Sequence, residues 1–261
     1  MTPQSAIFVS HGTIYEAFKS TSVPAMFRSL RERSLPQTPK AIVVISGHWL
    51  TPVIRVTRRE RLFQMDEGFP QEFRINYTPE GSTALSDDIL ARLHKDGIAA
   101  EADSERGLDH GALIPLMTMF PDADVPVVQV SLQQGLEPKY HAHIASILAP
   151  LLEDNVLILT SGGAVHNRDE IVRFSGMELL PDTFAKEFDE AIATALLSTS
   201  EQTYTERLMS LYHHPLFTQS HPTSEHFLPL IIASALGKRS EQVNAGFQWK
   251  NLSMAAYRFW S

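Results

Sequence analysis

Three apolar runs in this chain end in the same way. "AIFVSHGT" (residues 6–13), "AIVVISGHW" (41–49) and "VLILTSGGAVHN" (156–167) each close on one or more small residues and then a histidine: His11, His48 and His166. Imidazole is a common ligand for Zn and Fe(II), and it binds in its neutral form. Its unperturbed pKa also suits it to proton transfer near neutral pH. A lone histidine after a strand is more often a turn residue or a hydrogen-bonded core side chain. The repeated pattern, with Gly12, Gly47, Gly162 and Gly163 close by, favours delivery of imidazoles to one shared place. The bland alternative is that these glycines merely turn the chain.

Two further segments add polar groups. In "RGLDHG" (106–111), Asp109 and His110 stand just before the apolar segment "ALIPLMTMF", near a helix start. There Asp109 could serve only as an N-cap and His110 only as a first-turn residue. In "SHPTSEHFLPL" (220–230), His221, Glu225 and His226 precede an apolar helix that ends near Gly237, with Pro229 fitting its first turn. His226 would then sit in the entry loop, free to face a site; the alternative is a capping cluster with exposed histidines. His94, His141 and His143 read as structural, because residues two apart on a helix, such as 141 and 143, do not share a face. His213 and His214 have no assigned role.

The elements that must position these groups follow from hydrophobic pattern. Apolar runs at 5–10, 41–46, 125–132 and 156–161 are short and rich in Val and Ile, as expected of buried strands in a largely parallel sheet. Residues 82–96, 138–152 and 182–198 place apolar side chains at helical spacing, with Gly97 as a C-cap of the first. Residues 51–57 read as a strand near an edge and 251–260 as a last strand. Strands alternating with helices predict a single α/β domain over residues 1–261, with a central, largely parallel sheet flanked by helices. Ligands of such sheets bind outside the carboxyl ends of the strands, so the three histidines predict a metal site there.

Bulk properties narrow the function. The chain has 261 residues and no cysteine, which excludes a disulfide framework, Cys-ligated zinc, iron–sulfur clusters and a cysteine nucleophile. A net charge of −8 argues against a nucleic-acid or anionic-membrane surface. No run approaches a membrane span and no signal peptide is visible, so a cytoplasmic protein is expected. No P-loop, G-x-G-x-x-G or G-x-S-x-G motif is present.

Taken together, "FVSHGT", "VVISGHW", "MDEGFP", "RGLDHGALIPL", "PVVQVSL", "SGGAVHN" and "PTSEHFLPL" resemble the class III extradiol ring-cleavage dioxygenases, with the 4,5-DOPA dioxygenase branch nearest. The resemblance runs in the family's order from residue 8 to residue 230. It implies a non-haem metal, with Fe(II) expected for activity and Zn as the other candidate. It implies His11, His48 and His226 as metal ligands, His166 as acid/base or a fourth ligand, and His110 beside substrate or oxygen. The implied partners are a small catechol and O2, with no nucleic acid and no membrane; a homo-oligomer stays open. Gly47 stands where the family usually has Ala, Thr13 where Ser is frequent, and Arg168 where Leu is common. Two other readings compete: a tetrapyrrole metal chelatase, and a non-enzymatic Zn-binding scaffold on the same fold.

Overall fold

The computed structural model describes residues 3–19, 22–68, 70–167 and 180–261. Its centre is four parallel strands, buried on both faces and mostly apolar. These are β1 (Ala6–Ser10), β2 (Ala41–Thr51), β5 (Val127–Gln133) and β6 (Val156–Gly162). Successive residues on a strand point to opposite faces, and here each face meets its own core. Phe8, Val43, Ile45, Val130 and Ile158 join one cluster. Ile7, Val9, Ile42, Val44 and Leu157 join the other. A strand covered on both sides needs no polar alternation, which is why β1, β2 up to Ile45 and most of β6 are continuous runs. The β5 segment, VVQVSLQ, alternates instead, with Gln129 and Ser131 turned to buried polar partners.

The remaining strands extend this centre. They are β3 (Ile54–Thr57), β4 (Ala100–Asp103), β7 (Arg239–Asn244) and β10 (Ala256–Trp260); β8 (Phe247–Gln248) and β9 (Leu252–Ser253) form a separate hairpin. The eight-stranded order is β4-β3-β5-β2-β6-β1-β10-β7, with β3 antiparallel to β5, and β10 antiparallel to both β1 and β7. One face is covered by α3 (Thr83–Lys95), α5 (Pro138–Leu148), α7 (Thr183–Leu197) and α10 (Leu228–Ser234), through residues such as Ile89, Ile144, Phe188 and Leu230. The other is covered by α1 (Ile14–Lys19), α2 (Ser22–Ser34) and α4 (His110–Met119), through Ile14, Phe27 and Leu113. The shorter helices are α6 (Pro150–Glu153), α8 (Tyr204–Ser210) and α9 (Phe217–Ser220). No helix among the described residues is long and apolar enough to cross a membrane.

Most expected elements are found, with differences. The segment 51–57 is divided between the end of β2 and β3, and the last strand expected over 251–260 is divided between β9 in the hairpin and β10 in the main sheet. The run at 41–46 does not stop before His48: β2 continues to Thr51, and its pairing with β5 is irregular between Ile45 and Leu50. The helix expected over 138–152 is split into α5 and α6 at Pro150, whose missing N–H and ring disfavour an uninterrupted helix. The helix after Pro229 ends at Ser234, short of Gly237. Gly97 follows α3 at φ 78°, a C-terminal position that suits glycine.

Tyr257 on β10 is fully buried, and its hydroxyl has no hydrogen-bond partner among the described residues. A buried polar atom left unpaired costs about 1–3 kcal/mol. Tyr257→Phe is therefore expected to raise unfolding free energy by about 1 kcal/mol, seen as a higher urea midpoint at unchanged slope. A lower midpoint would mean that the hydroxyl has a partner.

Candidate metal centre

Five imidazoles from distant parts of the chain meet at one end of the sheet. His11 directly follows β1, and its backbone N–H donates to the Gly162 carbonyl at 3.1 Å. His48 lies inside β2. His110 opens α4. His166 lies beyond β6, with its N–H on the Ser220 carbonyl at 3.0 Å. His226 ends a single 3-10 turn, Ser224–His226, just before α10. Ring centroids of His11 and His48 are 5.0 Å apart, of His48 and His226 4.7 Å, and of His11 and His226 5.5 Å. His110 lies 4.0 Å from His48 and 5.4 Å from His11. His166 stacks on His226 at 3.7 Å with 3° between the planes. All five line one cavity of about 810 Å³, with Glu67 and Glu225.

Hydrogen bonds through Nδ1 orient three of these rings. His11 Nδ1 lies 2.9 Å from the Gly12 carbonyl, an acceptor only, so Nδ1 carries the proton and Nε2 the lone pair. His226 Nδ1 donates to Glu225 Oε1 at 3.0 Å, and Glu225 also accepts from the Thr223 hydroxyl at 2.9 Å. His110 Nδ1 bonds Glu67 Oε1 at 2.9 Å, while its backbone N–H donates to Glu67 Oε2 at 2.6 Å. Backbone carbonyls and carboxylates on the far nitrogen are the usual supports of metal-ligating histidines.

The donor set fits a borderline divalent ion. His11 Nε2 is buried without a hydrogen-bond partner among the described residues. His226 Nε2 faces His48 Nε2 at 3.3 Å, about the separation of two nitrogens bound at 2.0–2.1 Å to one tetrahedral ion. His11, His48 and His110 form a group whose ligand atoms all lie within 4.8 Å of one another. A three-histidine site is thus present, with His11 and His48 as its common members and both His110 and His226 within reach.

Burial keeps His11, His48 and His226 uncharged. Loss of solvent, then the neighbouring His110 and His166, lower the His11 pKa to about 3. Burial and adjacent imidazoles also hold His48 and His226 well below the ordinary value. Behind His48 lies a buried carboxylate, Asp109. Its Oδ1 accepts from the Ser46 hydroxyl at 2.7 Å and from the Ala112 N–H at 3.1 Å. Its Oδ2 accepts from Arg106 at 2.8 Å and Gln129 at 2.7 Å. Burial alone would raise this carboxyl's pKa, but the Arg106 guanidinium and the hydrogen bonds from Ser46 and Gln129 outweigh it and hold it below the ordinary carboxylate value.

The sequence signalled the five histidines; Asp109 does cap α4, as its bland reading held, and also joins Ser46, Arg106 and Gln129. Glu67 lies in the quoted "MDEGFP" motif, yet nothing local revealed its bond to His110, 43 positions away. Arg106 and Gln129 lie in the quoted "RGLDHGALIPL" and "PVVQVSL", yet nothing local revealed their bonds to Asp109. His221 is buried and bonds the Ala164 carbonyl through Nε2 at 2.9 Å, so it fastens the loop before His166. His94 bonds the Ala100 carbonyl, His141 is buried in α5, and His143 pairs with Asp96 on the opposite side. Arg168 lies outside the described residues.

The Gly47 and Gly162 positions are explained by close approach. A Cβ on Gly162 would lie 2.2 Å from the His226 carbonyl oxygen, and one on Gly47 would lie 2.9 Å from that of Glu225. Both glycines admit the backbone that carries His226 to the strand ends.

A model of the catalytic LigB subunit of aromatic ring-opening dioxygenases matches residues 5–260. Among similar proteins, a 4,5-DOPA dioxygenase extradiol from Beta vulgaris is 35% identical over 99% of this chain and 97% of its own length. Another of that name from Escherichia coli is 30% identical, covering 97% of this chain and 93% of its own. A solved structure of an uncharacterized Escherichia coli protein superposes with a TM-score of 0.82 at 28% identity, covering 98% of this chain and 99% of that one.

Two outcomes are expected. Gly162→Ala pushes against backbone and should weaken Zn(II) or Fe(II) affinity by about 10–100-fold, the range for disturbed support of a ligand. Gly47→Ala needs a smaller shift and should cost less; equal affinities for both variants and wild type, by competitive chelator titration, would show that this approach does not set ligand position. The second outcome concerns acid. Burial lowers the His11 and His221 pKa values from 6.5 to about 3 and about 4. Between those values and 6.5 the unfolded chain binds protons that the folded chain refuses, so stability falls as pH drops through this window. Chelator-treated protein should show a lower urea midpoint at pH about 5 than at about 7.5; a flat profile would contradict the uncharged, buried state.

Proposed function

Since the chain belongs to the family of LigB catalytic subunits of aromatic ring-opening dioxygenases, we propose that it opens the ring of a small catechol, DOPA-like or related, with Fe(II) held by His11, His48 and His226. It is an extradiol ring-cleavage dioxygenase, acting on a small molecule and O2. The observation that carries the ligand assignment is the pairing of His226 Nε2 with His48 Nε2 at 3.3 Å, beside the unpartnered, buried Nε2 of His11. A carboxylate holds Nδ1 of both rings, and His226 is favoured over His110 as third ligand because its side chain is only 5% exposed and its Nε2 faces that of His48, whereas His110 is 16% exposed at a helix start. The catalytic domain is taken to span residues 1–261.

Bound at these imidazoles, Fe(II) would supply Lewis acidity and a route for electrons between catechol and O2. The protein's own residues do the rest. Glu225 holds the His226 ring so that its lone pair stays aimed at the site. His166, stacked beside it, takes a phenol proton and later returns one, as a general base and then acid. His110, held through Nδ1 by Glu67, offers its second nitrogen as a hydrogen-bonding partner for substrate or oxygen. Ile14, Leu50 and Leu252 give the cavity apolar walls that displace water. An all-histidine site also suits Zn, so the resting ion is decided by metal analysis rather than by donor type.

The test is an oxygen-electrode screen of catechols with anaerobically Fe(II)-loaded protein, following the yellow ring-opened product. His226→Ala should lose both bound metal and turnover. His166→Ala and His110→Ala should keep metal stoichiometry and lose about 10²–10⁴-fold in kcat, the range of a missing acid–base group. Metal lost from His110→Ala but kept in His226→Ala would transfer the third ligand to His110. Absence of O2 uptake with every catechol would end the ring-cleavage reading.

A further inference from the structure

The hairpin formed by β8 and β9 lies outside the eight-stranded sheet, yet it reaches the metal-site cavity. Phe247 pairs with Ser253 and Gln248 with Leu252. Trp249, at the turn, lines the cavity together with Leu252. Its φ is 55°, in the left-handed region, where a bulky L-residue is a genuine outlier. Glycine or asparagine would take such a turn position with less strain. Indole therefore occupies this position at a conformational cost, and strain of this kind concentrates at ligand-binding sites.

The hairpin is tied down on several sides. Ser253 N–H donates to the Val165 carbonyl at 3.2 Å, and the Ser253 hydroxyl to Asp189 Oδ1 at 2.6 Å. Asp182 N–H donates to the Lys250 carbonyl at 2.8 Å, and Met254 N–H to the Gly246 carbonyl at 2.8 Å. An antiparallel bridge joins Leu252 to His166. The turn that carries Trp249 is thus fixed relative to the backbone of His166. Leu50 leaves 36% of its surface open although it is apolar, and it lines the same cavity. At about 810 Å³ the cavity falls in the range that holds drug-sized ligands, more than one bare ring requires.

We infer that Trp249 is a specificity-determining residue, the aromatic wall that packs on the ring substituent of a 4-substituted catechol and selects such compounds over unsubstituted catechol. The inference rests on the ring-cleavage reading. Aromatic side chains supply large, rigid contact area at low entropic cost, so an indole suits a ligand whose reactive end is already held elsewhere.

The experiment is anaerobic titration of the Fe(II)-loaded full chain with 4-nitrocatechol, followed by its absorbance, and with unsubstituted catechol in competition. Trp249→Ala should weaken 4-nitrocatechol about tenfold, near the loss of one well-packed aromatic contact, while unsubstituted catechol weakens by a factor under about 3. Trp249→Phe should lose less than Trp249→Ala. Trp249→Gly relieves the left-handed backbone and should melt at a higher temperature than Trp249→Ala, which reads the strain without any ligand. Equal weakening of both catechols, or of neither, in a Trp249→Ala protein of normal metal content overturns the inference and leaves the ring-cleavage reading standing. Wild-type protein that binds metal but neither catechol overturns that reading, and this inference with it.

Discussion

The site depends on keeping several imidazole lone pairs neutral and pointed at one volume. Water would protonate them or solvate them apart. Burial prevents both, but it exposes each ring to the repulsion of its neighbours whenever one takes a proton. The lowered pKa values of His11, His48 and His226 record that balance. A cation bound between them would replace the missing solvation, so the centre is arranged for a metal and strained towards one without it. The orientation comes from acceptors outside the centre: the Gly12 carbonyl, Glu225 and Glu67 each hold an Nδ1 and thereby fix the ring.

The carboxylate of Asp109 extends this control into the fold. Its partners come from β2 through Ser46, from β5 through Gln129, from the first turn of α4 through the Ala112 N–H, and from the segment before α4 through Arg106. One buried charge therefore sets the position of β2 next to His48 and the start of the helix that carries His110. Removing a partner would leave part of that charge without compensation in a dry setting, where unpaired charge is expensive. Arg106 also lies over the Trp49 ring, with its guanidinium carbon 5.2 Å from the centroid, so the same residue braces the strand on the far side of His48.

Much of this was legible in order of residues because it rests on local rules. Continuous Val/Ile runs marked the four central strands, and helical spacing marked α3, α5 and α7. The end-of-strand histidines followed from the geometry of parallel sheets. The polar β7, with "RSEQVN", has no apolar run to announce it; β10 and the sheet edge define it. The four-residue β4 is too short for a period to show. Glu67, Arg106 and Gln129 were silent for a different reason: each acts through a partner remote in sequence, and a single charged or amide residue looks the same on a solvated surface. The Trp249 turn was silent too, since a backbone dihedral leaves no mark in composition when the residue occupying it is not glycine.

The least regular feature of the sheet is the one that chemistry requires. β2 pairs with β6 in register from Ala41 to Ser46 and then parts from it, while its ladder to β5 breaks between Ile45 and Leu50 and resumes at Leu50. A regular strand would place His48 in a continuous ladder, with Ser46 and Leu50 on the same face. The break lets the chain bend through Gly47, brings His48 to the other imidazoles, and leaves room for the Glu225–His226 backbone to lie against the strand. Local irregularity of this kind is stable only because the elements on either side are over-determined: two cores clamp residues 41–45 and the Thr51 hydroxyl bonds Ser131 at 2.6 Å. The interrupted ladder is a stretch where local regularity gives way to the geometry of a site, as expected where the parts of a fold otherwise agree.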